Sequence, residues 1–208
     1  MFGFDWAIHK GNRVAADSDM RIPIFTNVAD DILRDRFDQT EGLSGWNHND
    51  VLRGDDRGST EEIEVEFDMT NHVLTWAGVD RIDGLKELLG NLLSQEPGAG
   101  VDRESVTAFK AGNILIGGDG HDVIEGRGGD DFIHGDAWLN VRIRLTGVGQ
   151  ANDVDNELAT VDTLKHVFTA ADIDPVANPQ TAGWVGKALS ELLLTGAVKP
   201  SQMHIVRE

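Results

Sequence analysis

A nine-residue period between Ala111 and Asp136, AGNILIGGDGHDVIEGRGGDDFIHGD, constrains this chain more than any other feature. Residues Gly117 to Glu125 fit the pattern G-G-x-G-x-D-x-U-x, with U a large apolar residue, at every fixed position. In the next nine, Gly126, Gly129, Asp131 and Ile133 keep the phase, Gly128 falls at a free position, and Arg127 stands where the second glycine belongs. Ala111 to Ile116 supplies the second half of a preceding copy, with Asn113 in place of the aspartate.

Each copy predicts a glycine-rich loop followed by a short strand. Glycine permits positive φ, so the carbonyl oxygens of Gly117, Gly118, Gly120, Gly126, Gly128 and Gly129 can turn inward, while Asp119, Asp122, Asp131 and Asp136 add carboxylates. Stacked loops of this composition offer only oxygen, which suits a hard cation, calcium above all. The apolar residue two places after each loop-ending aspartate is expected in the core. Turn chemistry alone does not account for in-phase copies with apolar residues at fixed offsets.

These residues resemble the haemolysin-type calcium-binding (RTX) repeats of secreted bacterial proteins. The resemblance implies a parallel β-roll folded around Ca2+, with each ion between one repeat and the next but one. The same phase reappears upstream in TEGLSGWNHNDVLRGD, from Thr40 to Asp55, where Leu43 and Leu52 are nine apart, as are Glu41 and Asp50. That wording also resembles the opening turns of RTX blocks, and it predicts one roll interrupted by an insertion, with Gly54 to Arg57 beginning a turn that Ala111 to Ile116 completes. The loop ending in Asp50 then faces Gly117 to Asp122, the composite loop ending in Asn113 faces Gly126 to Asp131, and Gly117 to Asp122 also faces Gly135 to Asn140. Up to three ions follow from these pairs, and the sites involving Asn113 and the Trp138-Leu139 loop are expected to be the weaker ones.

The charge balance points the same way. Thirty-six Asp and Glu against eighteen Lys and Arg give a net charge of −18, which disfavours nucleic acid and anionic membrane surfaces and favours cations. Repulsion among the loop carboxylates predicts that calcium binding and folding are coupled. The chain has no cysteine, so thiolate and disulfide chemistry are excluded, and no stretch approaches the length of a membrane span. The start lacks a signal-peptide pattern, which is compatible with the type I export that the resemblance implies, to the extracellular space or cell surface. The chain is expected to be cut from a longer protein with neighbouring domains.

The expected fold class is α+β, mainly β. Residues 1–35 are read as N-terminal strands flanking the roll, 36–57 and 108–143 as the interrupted roll, 58–107 as a strand-helix insertion, and 144–208 as a C-terminal helical segment with a final strand. Within these, strands are expected at Phe4–Ile8, Met20–Phe25, Glu61–Phe67, Val141–Leu145 and Met203–Arg207. Helices are expected at Asn27–Arg36, Val79–Ser94, Ala159–Phe168 and Trp184–Leu194. The segment Gly135 to Val141, with the closing Ile205-Val206-Arg207-Glu208, also resembles the RTX regions of large bacterial proteins carrying an animal-type haem peroxidase domain.

Catalytic motifs are missing from the sequence. Seven histidines include no H-E-x-x-H pair, Gly42-Leu43-Ser44-Gly45 is one residue short of a nucleophile elbow, and the loop from Asp153 has Leu158 where an EF-hand demands glycine. The expected function is a non-enzymatic calcium-binding module. Two other classes stand beside it: glycan or surface adhesion through Trp46, Trp76, Trp138 and Trp184, and calcium-triggered self-cleavage at Asp174-Pro175.

Overall fold

The structure, a computed structural model, describes residues 3–25, 27–29, 34–37, 40–57, 73–110 and 112–208. The chain divides into two units, Met1–Asn140 with Glu208, and Val141–Arg207. In chain order the first unit contains strands β1 (Trp6–Ile8), β2 (Asp17–Asp19), β3 (Gly42–Ser44), β4 (Val51–Arg53), β5 (Leu74–Thr75), β6 (Thr107–Phe109), β7 (Ile114–Ile116), β8 (Val123–Glu125) and β9 (Phe132–His134).

Apart from β5 and β6, these strands alternate between two parallel sheets, one ordered β1-β3-β7-β9 and the other β2-β4-β8. Each is three residues long, so successive side chains point to opposite faces and one central residue per strand faces one side. Register stacks the central residues in columns: Ala7, Leu43, Leu115 and Ile133 in the first sheet, Ser18, Leu52 and Ile124 in the second. Leu43, Leu52 and Leu115 are fully buried in one cluster with Ala16 and Met20, against which Ala7, Phe37 and Ile124 pack. Each such leucine stabilises the fold by about 1.5–3 kcal/mol. The chemistry of the repeat thus fixes both a loop and a core position. Ile133 is the exception at 46% exposure, because β9 ends its sheet.

The N-terminal segment departs from expectation. Rather than flanking the repeats, β1 and β2 belong to the two sheets, pairing with β3 and β4. Met20–Phe25 is not a strand; within it only Pro23 forms a bridge, to Phe37. Ser18 replaces the apolar central residue of β2 and is fully buried. Its hydroxyl donates to Asp35 Oδ2 (2.9 Å) and meets His9 Nε2 (2.9 Å), so the polar group is satisfied. Burial lowers the pKa of the His9 imidazole, which favours the neutral ring.

The insertion pairs β5 with β6 antiparallel and adds two short helices, α1 (Trp76–Asp80) and α2 (Leu85–Leu89). The Thr75 hydroxyl caps α1 by accepting from Gly78 N (3.1 Å). The single helix expected over Val79–Ser94 is broken at Gly84, whose φ of 84° is left-handed and cannot continue a helix. The apolar spacing still holds in part, since Val79, Ile82, Leu85 and Leu89 are buried. The expected strand Glu61–Phe67 and the centre of the expected helix Asn27–Arg36 lie outside the described residues.

The second unit is an antiparallel sheet ordered β11-β10-β12, from β10 (Val141–Thr146), β11 (Glu157–Val161) and β12 (Met203–Arg207), with helix α3 (Leu189–Leu194). Its core gathers Leu145, Val161, Phe168, Trp184, Leu189 and Leu192. The helix expected over Ala159–Phe168 is instead strand β11 and the loop beyond it. Thr160 and Val161 are β-branched, and β10 offers them antiparallel partners in Arg144 and Ile143. Likewise the helix expected from Trp184 begins only at Leu189, after a left-handed Gly186 (φ 80°). Strands at Val141–Leu145 and Met203–Arg207 form as expected.

Leu115→Ala should lower unfolding free energy by about 2–5 kcal/mol in a urea titration. Val123→Ala, at a position 61% exposed, should cost under about 1 kcal/mol. Equal costs would contradict the placement of the core between the two sheets.

Candidate metal centre

Because strands alternate between two sheets, the segments joining them form two flanks. Outward loops 9–16, 45–50 and 117–122 lead from the first sheet to the second, and 135–140 follows β9 on the same flank. Return segments run over 20–41, 54–113 and 126–131.

One hydrogen bond recurs on both flanks. The residue before one strand donates its N–H to the carboxylate before the neighbouring strand. On the outward flank Ala16 N donates to Asp50 Oδ1 (2.6 Å), and Asp50 N to Asp122 Oδ1 (2.8 Å). On the return flank Asp5 N donates to Glu41 Oε2 (2.6 Å), and Asn113 N to Asp131 Oδ1 (2.8 Å). These bonds give the acidic residue of each repeat a structural duty beside any ligand role.

Loops 45–50 and 117–122 approach closely. Asp119 N donates to Trp46 O (2.6 Å) and His121 N to Asn49 Oδ1 (3.0 Å). A Cβ on Gly45 would overlap Gly117 O and come 2.6 Å from Asp50 Oδ2, so the two loops bring oxygens together at a distance that only glycine permits. Gly118 (φ 97°) likewise faces Trp46 O with no room for a Cβ. Asp122 Oδ2 lies beside Gly117, and Gly118 N donates to Gly135 O (2.8 Å), bringing loop 135–140 onto the other side. Asp50 is buried and Asp122 half-buried, whereas Gly120, Asp119 and Asp136 are exposed. Carbonyls and carboxylates from successive loops thus meet, and this donor set fits a hard cation such as calcium. Among the described residues no three His, Cys, Asp or Glu side chains converge as a metal-holding group, so a site here depends on backbone oxygen.

On the return flank, Asn113 is fully buried and its Oδ1 accepts from Asp55 N (2.9 Å), while its Nδ2 has no hydrogen-bond partner among the described residues. Gly126 packs against the Asp131 carboxylate, and Gly128 and Gly129 are half-buried between them in sequence. Burial raises the pKa of Asp131. All three loop pairs proposed from the sequence are therefore adjacent in space.

Two arginines on this flank were not recognised as part of the site. Arg57 Nη1 donates to Glu41 Oε1 (2.8 Å), Nη2 to Thr40 O (2.9 Å), and Nε to Asp55 Oδ1 (2.9 Å). Arg127 donates through Nη1 to Gly54 O (2.9 Å) and Asp19 Oδ1 (2.6 Å), and through Nη2 to Asp19 Oδ2 (2.7 Å). The available signal was a long cation in a slot whose pattern demands glycine. Burial pushes the Glu41 carboxyl up to about 7, against the opposing pull of Asp5 N–H and Arg57. Burial also disfavours ionisation of Asp55, yet the hydrogen bonds and charge of Arg57 hold its pKa below the ordinary value.

The other expected sites resolve differently. Trp76 and Trp184 are buried, which removes them as exposed stacking platforms. Asp174 Oδ1 accepts from Val176 N (2.9 Å) and Ala177 N (3.0 Å), placing Asp174-Pro175 in a turn. Among the described residues no helix is long and apolar enough to cross a membrane.

Residues 110–137 match the family model of the RTX calcium-binding nonapeptide repeat (4 copies). The chain carries this repeat, and calcium is the ion that the repeat family binds. No curated protein and no solved structure matches the chain.

Because the Glu41 pKa is higher folded than its ordinary 4.5, its protonated form favours folding: the contribution is complete below about 4.5 and lost as pH rises through about 7. Glu41→Gln should therefore lose less stability than the native chain between those pH values, read by urea unfolding in chelator. Parallel pH profiles would contradict the assignment.

Proposed function

We propose that the chain is a calcium-binding module of a secreted or cell-surface bacterial protein, in which the two parallel sheets are turns of a β-roll that external calcium completes. The observation that carries this reading is the loop pair 45–50 and 117–122, where Gly45 and Gly118 let Gly117 O, Trp46 O and the Asp50 carboxylate approach more closely than any side chain would allow. The nonapeptide match over residues 110–137 supports calcium as the ion.

The chain's own residues divide the work. Asp122 Oδ1 holds the Asp50 backbone, fixing the spacing of two turns, while Oδ2 stays beside Gly117. Asp50 Oδ1 and Oδ2 accept from Ala16 N (2.6 Å) and Trp46 N (3.0 Å), and each oxygen keeps a lone pair for a cation. Calcium supplies the positive charge that these carboxylates, in a chain of net charge −18, otherwise lack. Asp119 and Asp136, both exposed, add negative potential at the mouth of the loops.

Ions that bind the folded loops and hardly bind the unfolded chain stabilise the fold by RT ln(1 + [Ca2+]/Kd) per site. Affinities of about 10⁻⁴ to 10⁻³ M, typical of extracellular modules, make the fold loose at cytosolic calcium and firm outside the cell. This suits type I export of an incompletely folded chain. We read the module as a binding unit rather than a catalytic one.

Calorimetric titration of the chelator-treated protein tests this. The native chain should bind calcium, and Asp122→Ala, which faces loops on both sides, should weaken binding by about tenfold or more, or about 1.4 kcal/mol. Asp136→Ala should weaken it less. Identical isotherms for the native chain and Asp122→Ala would overturn the site.

A further inference from the structure

We infer that the return flank carries its own cations: the guanidinium groups of Arg57 and Arg127 fill the gaps between successive return loops in place of calcium, which confines exchangeable ions to the outward flank. This deepens the calcium-binding reading and rests on it.

The oxygens that Arg57 engages are those a hard divalent ion would take. They are one backbone carbonyl, Thr40 O, and two carboxylates, Glu41 and Asp55, drawn from two successive return segments. The Arg57 side chain is 11% exposed and Glu41 fully buried, so the guanidinium is enclosed. Its planar fork meets the Asp55 carboxylate through Nε (2.9 Å) and Nη2 (2.5 Å) together. Calcium and a guanidinium cannot share those oxygens, because like charges would meet at hydrogen-bond distance.

Arg127 does the same one gap further on. It binds both Asp19 oxygens and Gly54 O, tying loop 126–131 to the start of the composite loop and to the end of β2. It occupies the repeat's second-glycine slot and keeps the left-handed backbone that slot requires, at φ 74°. Among the described residues it is the only non-glycine with positive φ. A side chain held in that conformation signals a local duty that offsets the strain. Asn113, in the same flank, has exchanged a carboxylate oxygen for an amide nitrogen, which removes negative charge where a guanidinium already stands nearby.

The outward loops that keep the repeat phase are the opposite case, although the first outward loop, 9–16, holds Lys10, whose Nζ donates to Asn140 Oδ1 (2.6 Å). Loops 45–50, 117–122 and 135–140 contain no lysine or arginine, and hold Asp50, Asp119, Asp122 and Asp136. The return flank is therefore latched by two guanidiniums within the chain, whereas loops 45–50 and 117–122 hold no cation of their own and are latched when calcium is present.

Two arms test this. In Asp50→Asn/Asp122→Asn, with both arginines intact, calorimetry should show no calcium binding; one or more ions retained would overturn the proposal. In chelator, Arg57→Ala and Arg127→Gly should each melt several degrees below the native chain, and Arg127→Gly should bind one more calcium ion. Arg127→Gly restores the residue the repeat itself uses, so its loss of stability reports the missing guanidinium rather than a backbone clash. Unchanged melting of both variants in chelator would overturn the proposal whatever calcium does. A native chain that binds no calcium would sink the underlying function instead, leaving the melting arm to decide the arginines.

Discussion

When a chain alternates between two parallel sheets, its loops stack, and every loop-ending carboxylate comes to lie against the backbone of the turn before it. The bonds from Ala16 to Asp50, Asp50 to Asp122, Asp5 to Glu41 and Asn113 to Asp131 are repeated instances of that contact. They satisfy backbone donors that would otherwise be buried without partners, and they set the spacing at which Leu43, Leu52 and Leu115 meet. They also concentrate negative charge. A stack of carboxylates and carbonyls is stable only with positive charge supplied to it, and the rest of the larger unit follows from how that charge arrives.

The two flanks answer differently. Arg57 and Arg127 bring it covalently, with no dependence on solution conditions beyond pH. Loops 45–50 and 117–122 have no such residue, and Lys10 of the first outward loop is tied to Asn140. The N-terminal turn is tied to the same arrangement. Ala16 N rests on Asp50, Asp19 takes Arg127, and the buried Ser18 is held by His9 and Asp35.

The sequence showed these features unevenly, for physical reasons. Strands β3, β4, β7, β8 and β9 were legible because glycine, aspartate and an apolar residue recur at a fixed offset, and the pairing of loop 45–50 with 117–122 followed from that phase. Strand β1 was legible at Phe4–Ile8 but its place in the first sheet was not, and β2 was not legible at all, since Ser18 puts a hydroxyl where the pattern wants an apolar side chain and its satisfaction by His9 and Asp35 is a tertiary fact. Strand β11 looked helical because its apolar spacing suits both periods, and β10 decided the matter. The arginines were visible only as a departure at 127 and a polar residue at 57. What they bind depends on loops distant in sequence, Asp19 and Thr40–Glu41, which no local pattern specifies.

Amide hydrogen exchange, compared with and without calcium, tests the central claim most directly. The amides of Asp119 and His121, which donate to Trp46 O and Asn49 Oδ1, should exchange rapidly in chelator and become protected when calcium is added. Asp55 and Asn113 amides, on the arginine-held flank, should be protected in both conditions. Equal protection of Asp119 and His121 with and without calcium would contradict a calcium-completed outward flank.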